Sequence, residues 1–285
     1  MCFSPGMSAF FAACSVGLAI HVYRRDKEVR VTIGILYFGS MELLQSIQYL
    51  VIAESEDDYA KCGEYSNQFL TILGLLHICF QPFFSNWLTT AFYKDDMTTR
   101  IEKDLIGRIT LLGGCWLFGR YLYSVMNPQL AGRSSVDCPN YDWLDDGYDG
   151  FLGAETPNLP GKACTYRPVT KTAHLAWAVP LAEPTYIIPG SAVHCFLMFA
   201  PLLAAGKRSN LIGGLILFAT GPGLAMLLTA SVNEQASIWC FFSIAQLFLL
   251  MMAPPKKPAA SQLSLLVHEG GMGAPKLVFE NKKAT

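Results

Sequence analysis

The sequence predicts an all-α fold: a polytopic membrane protein built as a seven-transmembrane-helix bundle, N-terminus outside and C-terminus inside. Three observations predict it. Of 285 residues, 52% are hydrophobic and only 15% charged, with a mean hydropathy of +0.33, whereas soluble domains carry about 25% charged residues. Seven apolar segments reach the ~20 residues of helix that a bilayer requires. Fifteen of the 21 lysines and arginines gather on one side when these segments alternate across a membrane, and that bias sets orientation.

The spans run over approximately 7–24, 31–53, 68–92, 105–126, 186–205, 210–230 and 234–253. The first is a retained helix and not a signal peptide, because its positive charge (Arg24, Arg25, Lys27, Arg30) follows the apolar run where a signal peptide carries it in front. Lys94, Arg100, Lys103 and Arg108 separate spans three and four, and Lys207 and Arg208 follow span five. The opposite loops are acidic, with Glu54, Glu56, Asp57, Asp58 and Glu64 in one and several carboxylates between Asp137 and Asp149 in another. Residues 1–253 thus form the membrane domain, 127–185 a proline-rich irregular outer lid, and 254–285 a cytoplasmic tail. His174-Leu-Ala-Trp177 within the lid reads as an interfacial or re-entrant piece leading into span five. A net charge of −1 excludes a nucleic-acid partner, which needs clustered basic surface. The lipid bilayer is the partner that composition implies.

Cysteines sort by this topology. Cys2, Cys62, Cys138 and Cys164 fall outside and are candidates for two disulfides whose pairing the sequence leaves open; the other five lie within spans.

Function is read from the polar residues inside the apolar text. Asn67, Thr71, Gly74, His77, Gln81 and Ser85 recur at helical spacing on one face of span three. Glu42 and Gln45 are one turn apart in span two, and His194 stands in span five. At 1.5 Å per residue, His77 and His194 lie ~12 Å below the outer boundary, Glu42 ~16 Å and Cys240 ~9 Å. Ionisable groups at that depth are expensive and usually line a cavity or pair with one another. The expected site is an outward-opening polar pocket made of Glu42, Gln45, Asn67, His77, Gln81, His194, Glu234 and Cys240. Glu42, His77 and His194 could together hold zinc or another divalent metal with a position open for water. Single Gln, Asn or His residues such as Gln48 or Asn86 read instead as hydrogen-bonding glue between helices. Gln81-Pro82, Phe199-Ala200-Pro201 and Gly221-Pro222-Gly223 mark expected kinks.

Several blocks carry a family resemblance: Met1-Cys2-Phe3-Ser4, Met41-Glu42 with Gln45, Leu76-His77-Ile78 with Phe80-Gln81-Pro82-Phe83-Phe84, His174-Leu-Ala-Trp177, and Asn233-Glu234 with Ile238-Trp239-Cys240. Over residues 1–250 the chain resembles an uncharacterised multi-pass membrane family whose members open Met-Cys-Trp-Ser. Phe3 in place of Trp, and Ala178 where an acidic residue is expected, depart from its pattern. The resemblance implies motif positions and no activity. A weaker similarity links the chain to the seven-helix metal-dependent hydrolases that include alkaline ceramidases and the adiponectin-receptor group, although their C-terminal HxxxH pair is missing.

Three functions fit these observations. One is a protein whose polar intramembrane pocket binds a small ligand, metal ion or lipid head group. Another is a zinc-dependent intramembrane hydrolase acting on lipid. The third is a structural or accessory subunit, oligomeric or with partner subunits, whose polar residues serve packing.

Overall fold

The first helix, α1 (Pro5–Asp26), begins where Ser4 accepts the Met7 amide at 3.3 Å and Pro5 presets the first turn. It ends where Lys27 turns left-handed at φ 54°, and two residues later α2 (Val29–Gln48) runs back beside it. Small residues make that pairing close. Ser8, Ala12, Ser15 and Ala19 are the small residues of the buried stripe of α1, which Leu18 and Val22 complete. A Cβ on Gly39 of α2 would overlap Ser15, and Ser46 donates to the Pro5 carbonyl at 3.1 Å.

The remaining elements of the computed structural model follow in order. They are α3 (Tyr59–Gly63), α4 (Tyr65–Thr90), α5 (Met97–Met126), strands β1 (Cys164–Tyr166) and β2 (Ala176–Ala178), α6 (Gly190–Ala204), a π-helical turn (Ala219–Gly223), α7 (Leu224–Leu228) and a helical segment 234–240. The structure describes residues 4–52, 59–90, 97–127, 163–167, 174–179, 190–204, 215, 218–228 and 234–240. All belong to the first of two compact units, Met1–Met252; the predicted tail falls in the second, Ala253–Thr285, outside the described residues.

Helix α4 is the hub, touching α2, α5, α6 and β1. It runs antiparallel to α2, with Gly74 beside Gln48 at one end and Gly34 beside Leu88 at the other. Gly113 and Gly114 of α5 admit Leu197 of α6 and Phe80 of α4. The predicted kink position in α4 is Pro82, inside the helix. At Gly221-Pro222-Gly223 the structure shows a π turn, where absence of a side chain on Gly221 lets the Trp239 indole lie against the backbone.

The described residues are overwhelmingly helical, as the sequence predicts. Two helices among them, Pro5–Asp26 and Tyr65–Leu88, are long and apolar enough to cross a membrane. Only 33% and 28% of their apolar windows are buried, whereas the core helix of a soluble domain that is apolar all round is covered on every side. Within the segment read as the lid, the described residues include two short antiparallel strands, Cys164 facing Ala178, Thr165 facing Trp177 and Tyr166 facing Ala176; the rest of 128–185 lies mostly outside the described residues. The Leu-Ala-Trp part of the expected re-entrant piece lies in or against this hairpin.

The tight α1–α2 contact generates a paired expectation. Gly39→Ala inserts a methyl against Ser15 and should destabilise by about 1–3 kcal/mol through overpacking. Gly17→Ala, on the open face of α1, should stabilise by about 0.5–1 kcal/mol through helix propensity alone. Thermal unfolding of the detergent-solubilised protein distinguishes them.

Candidate functional site

The C-terminal end of α2 and the N-terminal end of α4 grip the hairpin. Asn67 on α4 accepts the Thr165 amide at Oδ1 (2.8 Å) and donates from Nδ2 to the Thr165 carbonyl (2.8 Å) and the Val51 carbonyl (3.0 Å). The side-chain amide thus completes the outer edge of β1 as a neighbouring strand would. One turn along, the Thr71 hydroxyl meets the Thr165 hydroxyl at 2.6 Å and also reaches the Asn67 carbonyl at 2.8 Å. Gln48 of α2 donates to Thr165 Oγ1 (3.3 Å) and the Leu70 carbonyl (3.0 Å), and accepts from the Trp177 indole (3.1 Å). Behind the strands, the Glu234 carboxylate accepts the His174 amide at 2.6 Å, and Ser237 donates to the Leu175 carbonyl at 2.7 Å. A Cys62–Cys164 disulfide fastens β1 to α3. Two of the four predicted disulfide cysteines therefore pair with each other; Cys2 and Cys138 lie outside the described residues. Burial pushes the His174 imidazole down to about 4, against a weaker opposing pull from Glu234, so it is neutral at neutral pH.

Beneath Gln48 the polar column continues on the inner faces of α2 and α4. Glu42, Gln45 and Gln81 are completely or almost completely buried. The α2–α4 register sets Glu42 level with the turn of α4 that carries His77 and Gln81. Cys240 packs against Met41 and Trp177, beside Glu42. The outer half of the column is satisfied by the hairpin, but the inner half is not. Both amide heteroatoms of Gln45, Nε2 of Gln81 and the Ser8 hydroxyl on the facing side of α1 are buried without a hydrogen-bond partner among the described residues. Each such group costs about 1–3 kcal/mol.

The two histidines do different work from the one expected. Pro82 has no N–H, so α4 loses its hydrogen bond to the Ile78 carbonyl four residues back. His194 of α6 supplies the missing donor, with Nε2 3.0 Å from Ile78 O. It stands edge-on to Trp239, at 5.2 Å between ring centroids. His77 turns the other way, toward α2: Nε2 lies 2.8 Å from the Tyr37 carbonyl, the Tyr37 hydroxyl donates to the His77 carbonyl, and the two rings stack at 4.0 Å. A carbonyl only accepts, so each Nε2 carries the proton and is unavailable to a metal. No group of three or more His, Cys, Asp or Glu side chains among the described residues is placed to hold a metal ion. His77 and His194 thus bond backbone carbonyls of different helices through Nε2, and the expected Glu42–His77–His194 set is not among groups placed to hold a metal in the described residues.

Of the eight predicted pocket residues, Glu42, Gln45, Gln81 and Cys240 share the inner column. Asn67 and Glu234 hold the hairpin, and His77 and His194 bind backbone. Asn86, read as glue, bonds the Pro82 and Leu197 carbonyls at 2.8 and 3.0 Å and ties α4 to α6. Sequence reasoning missed Thr165 and Ser237, and it gave Tyr37 no role. Thr165 sits in the short β-forming run Cys164-Thr165-Tyr166, the one local signal that distinguishes it from the surrounding lid.

The proline account has a direct check. His194→Ala should cost about 1–3 kcal/mol by leaving the Ile78 carbonyl unpaired. In a Pro82→Ala background, where the backbone regains its own N–H at that position, the same change should cost clearly less. A double-mutant cycle on thermal stability reads the coupling; additive costs would contradict it.

No curated protein and no solved structure matches this chain. A profile of one family does match, over residues 6–260, which takes in nearly all of the described structure, from the first turn of α1 to the 234–240 segment. The chain belongs to the Family of unknown function (DUF5765).

Proposed function

We propose that this chain is an integral membrane protein of seven spans, N-terminus outside, whose inner polar column is the binding site of a small polar ligand closed over by the hairpin. An inverted distribution of side chains supports the membrane reading. Glu42, Gln45, Gln48, Asn67, Thr71, Gln81 and Asn86 are buried, while Phe10, Ile20, Ile33, Leu43, Ile109, Leu112 and Leu122 are exposed. Water would penalise that arrangement, whereas hydrocarbon favours it. The positive-inside bias and the apolar segments at 186–205, 210–230 and 234–253 support the full count of spans.

The single observation that carries the ligand reading is the unused hydrogen-bonding capacity of Gln45, Gln81 and Ser8 next to the Glu42 carboxylate. Helix-packing residues come paired, as Asn67, Gln48 and Asn86 do. Groups reserved for a ligand are held at a cost in stability. Their donors and acceptors suit a hydroxyl- or amine-bearing molecule, and the carboxylate favours one with positive charge. The Asn67–Thr165–Gln48 contacts close the outer end of the column, so access from outside requires the hairpin to lift.

Substitution separates reserved from structural polarity. Gln45→Met and Gln81→Met should each raise the melting temperature of the purified protein, corresponding to about 1–3 kcal/mol from removing an unsatisfied buried amide. A clear loss of stability in both would overturn the ligand reading and favour a structural subunit.

A further inference from the structure

A second feature of the α2–α4 pair lies on its outward face, away from the polar column. A groove of about 500 Å³ runs between the helices. Tyr37 and Phe84, stacked at 3.8 Å, close its inner end; Leu43 and Ile47 form one wall, Leu73 and Leu76 the other. We propose that this groove holds one acyl chain of a bilayer lipid.

Three observations fix the occupant's chemistry. The polar side chains on the walls are turned into the backbone: Ser40 donates to the Tyr37 carbonyl at 2.6 Å, the Tyr37 hydroxyl to the His77 carbonyl, and His77 Nε2 to the Tyr37 carbonyl at 2.8 Å. His77 Nδ1 is buried, without a hydrogen-bond partner among the described residues, and is the one polar wall atom left unpaired there. The groove therefore presents hydrocarbon, and a polar or charged ligand would lose its hydration there without replacement. The second observation is length. Ten residues separate Tyr37 from Ile47, or ~15 Å of helix, about the length of one acyl chain, which reaches through half of the ~30 Å hydrocarbon core. The groove lies along the helix axes, the direction acyl chains take. Finally, it opens onto an apolar belt on the same helix, where Leu36, Leu43, Ile47 and Leu50 are exposed. A lipid can enter sideways from the bilayer without any element moving.

This inference rests on the membrane reading but not on the ligand reading of the inner column. It is tested by reconstituting the full chain in phosphatidylcholine vesicles doped with a phosphatidylcholine that carries a diazirine on one acyl chain. After irradiation, adducts are mapped by peptide mass spectrometry. Adducts on residues 37–47 and 73–84 should exceed those on the exposed faces of α1 and α5 several-fold. Leu76→Trp, which fills the groove, should reduce the groove adducts at least fivefold and leave those on α1 unchanged; Leu73→Phe serves if the first variant does not fold. Equal labelling of all exposed apolar faces, or groove adducts that survive both fillings, would overturn the acyl-chain site, as would a protein–protein cross-link in place of the lipid. Failure of the membrane reading looks different: no adducts on any helix, and release of the protein from vesicles by alkaline carbonate.

Discussion

The grip of one side-chain amide on one backbone residue, Asn67 on Thr165, is the contact on which the remaining polar architecture depends. A two-stranded ribbon of three residues per strand is too small to persist alone, and its outer edge exposes an amide and a carbonyl. Asn67 takes both and adds the Val51 carbonyl just beyond the end of α2. Once Thr165 is fixed, its hydroxyl sets Thr71 and Gln48, Gln48 sets the Trp177 indole, and Trp177 packs over Met41 and Cys240. The Cys62–Cys164 disulfide joins residues 102 apart in sequence and restricts how far the ribbon can travel. This end of α2 and α4 is sealed by hydrogen bonds whose loss would leave several buried groups unpaired at once.

The same requirement, that buried backbone be satisfied internally, explains the histidines. Pro82 interrupts the hydrogen bonding of α4 and frees a carbonyl, and His194 from α6 supplies the donor. His77 and Tyr37 exchange bonds with each other's carbonyls across the α2–α4 contact. Imidazoles that looked like chemistry in the sequence are fastenings in the fold. What stands out against this economy is the inner column, where Gln45, Gln81 and Ser8 keep capacity that nothing among the described residues uses.

The helices were legible because their signals are local. The predicted span 7–24 corresponds to Pro5–Asp26 and 68–92 to Tyr65–Thr90, since a capping serine, a basic flank and an apolar run are each read from neighbours. Helix α5 starts eight residues before the predicted 105, because the charged residues of Met97–Asp104 end the apolar run without ending the helix. The burial of Glu42, Gln45, Asn67 and Gln81 was legible from helical spacing. Their partners were not, because pairing Asn67 with Thr165 closes a loop of 98 residues and leaves no periodic trace. Tautomer and direction decide the rest: depth arithmetic puts His77 and His194 at one level but cannot say that one faces α2 while the other reaches from α6 to α4.

Hydrogen exchange at the Thr165 amide tests the seal most directly. In the protein reconstituted in lipid nanodiscs with the disulfide intact, that amide should exchange as slowly as those in the middle of α4, and Asn67→Leu should accelerate it by orders of magnitude while leaving α1 protected. Exchange at Thr165 as fast as in an open surface loop, unaffected by Asn67→Leu, would contradict a hairpin seal over the polar column.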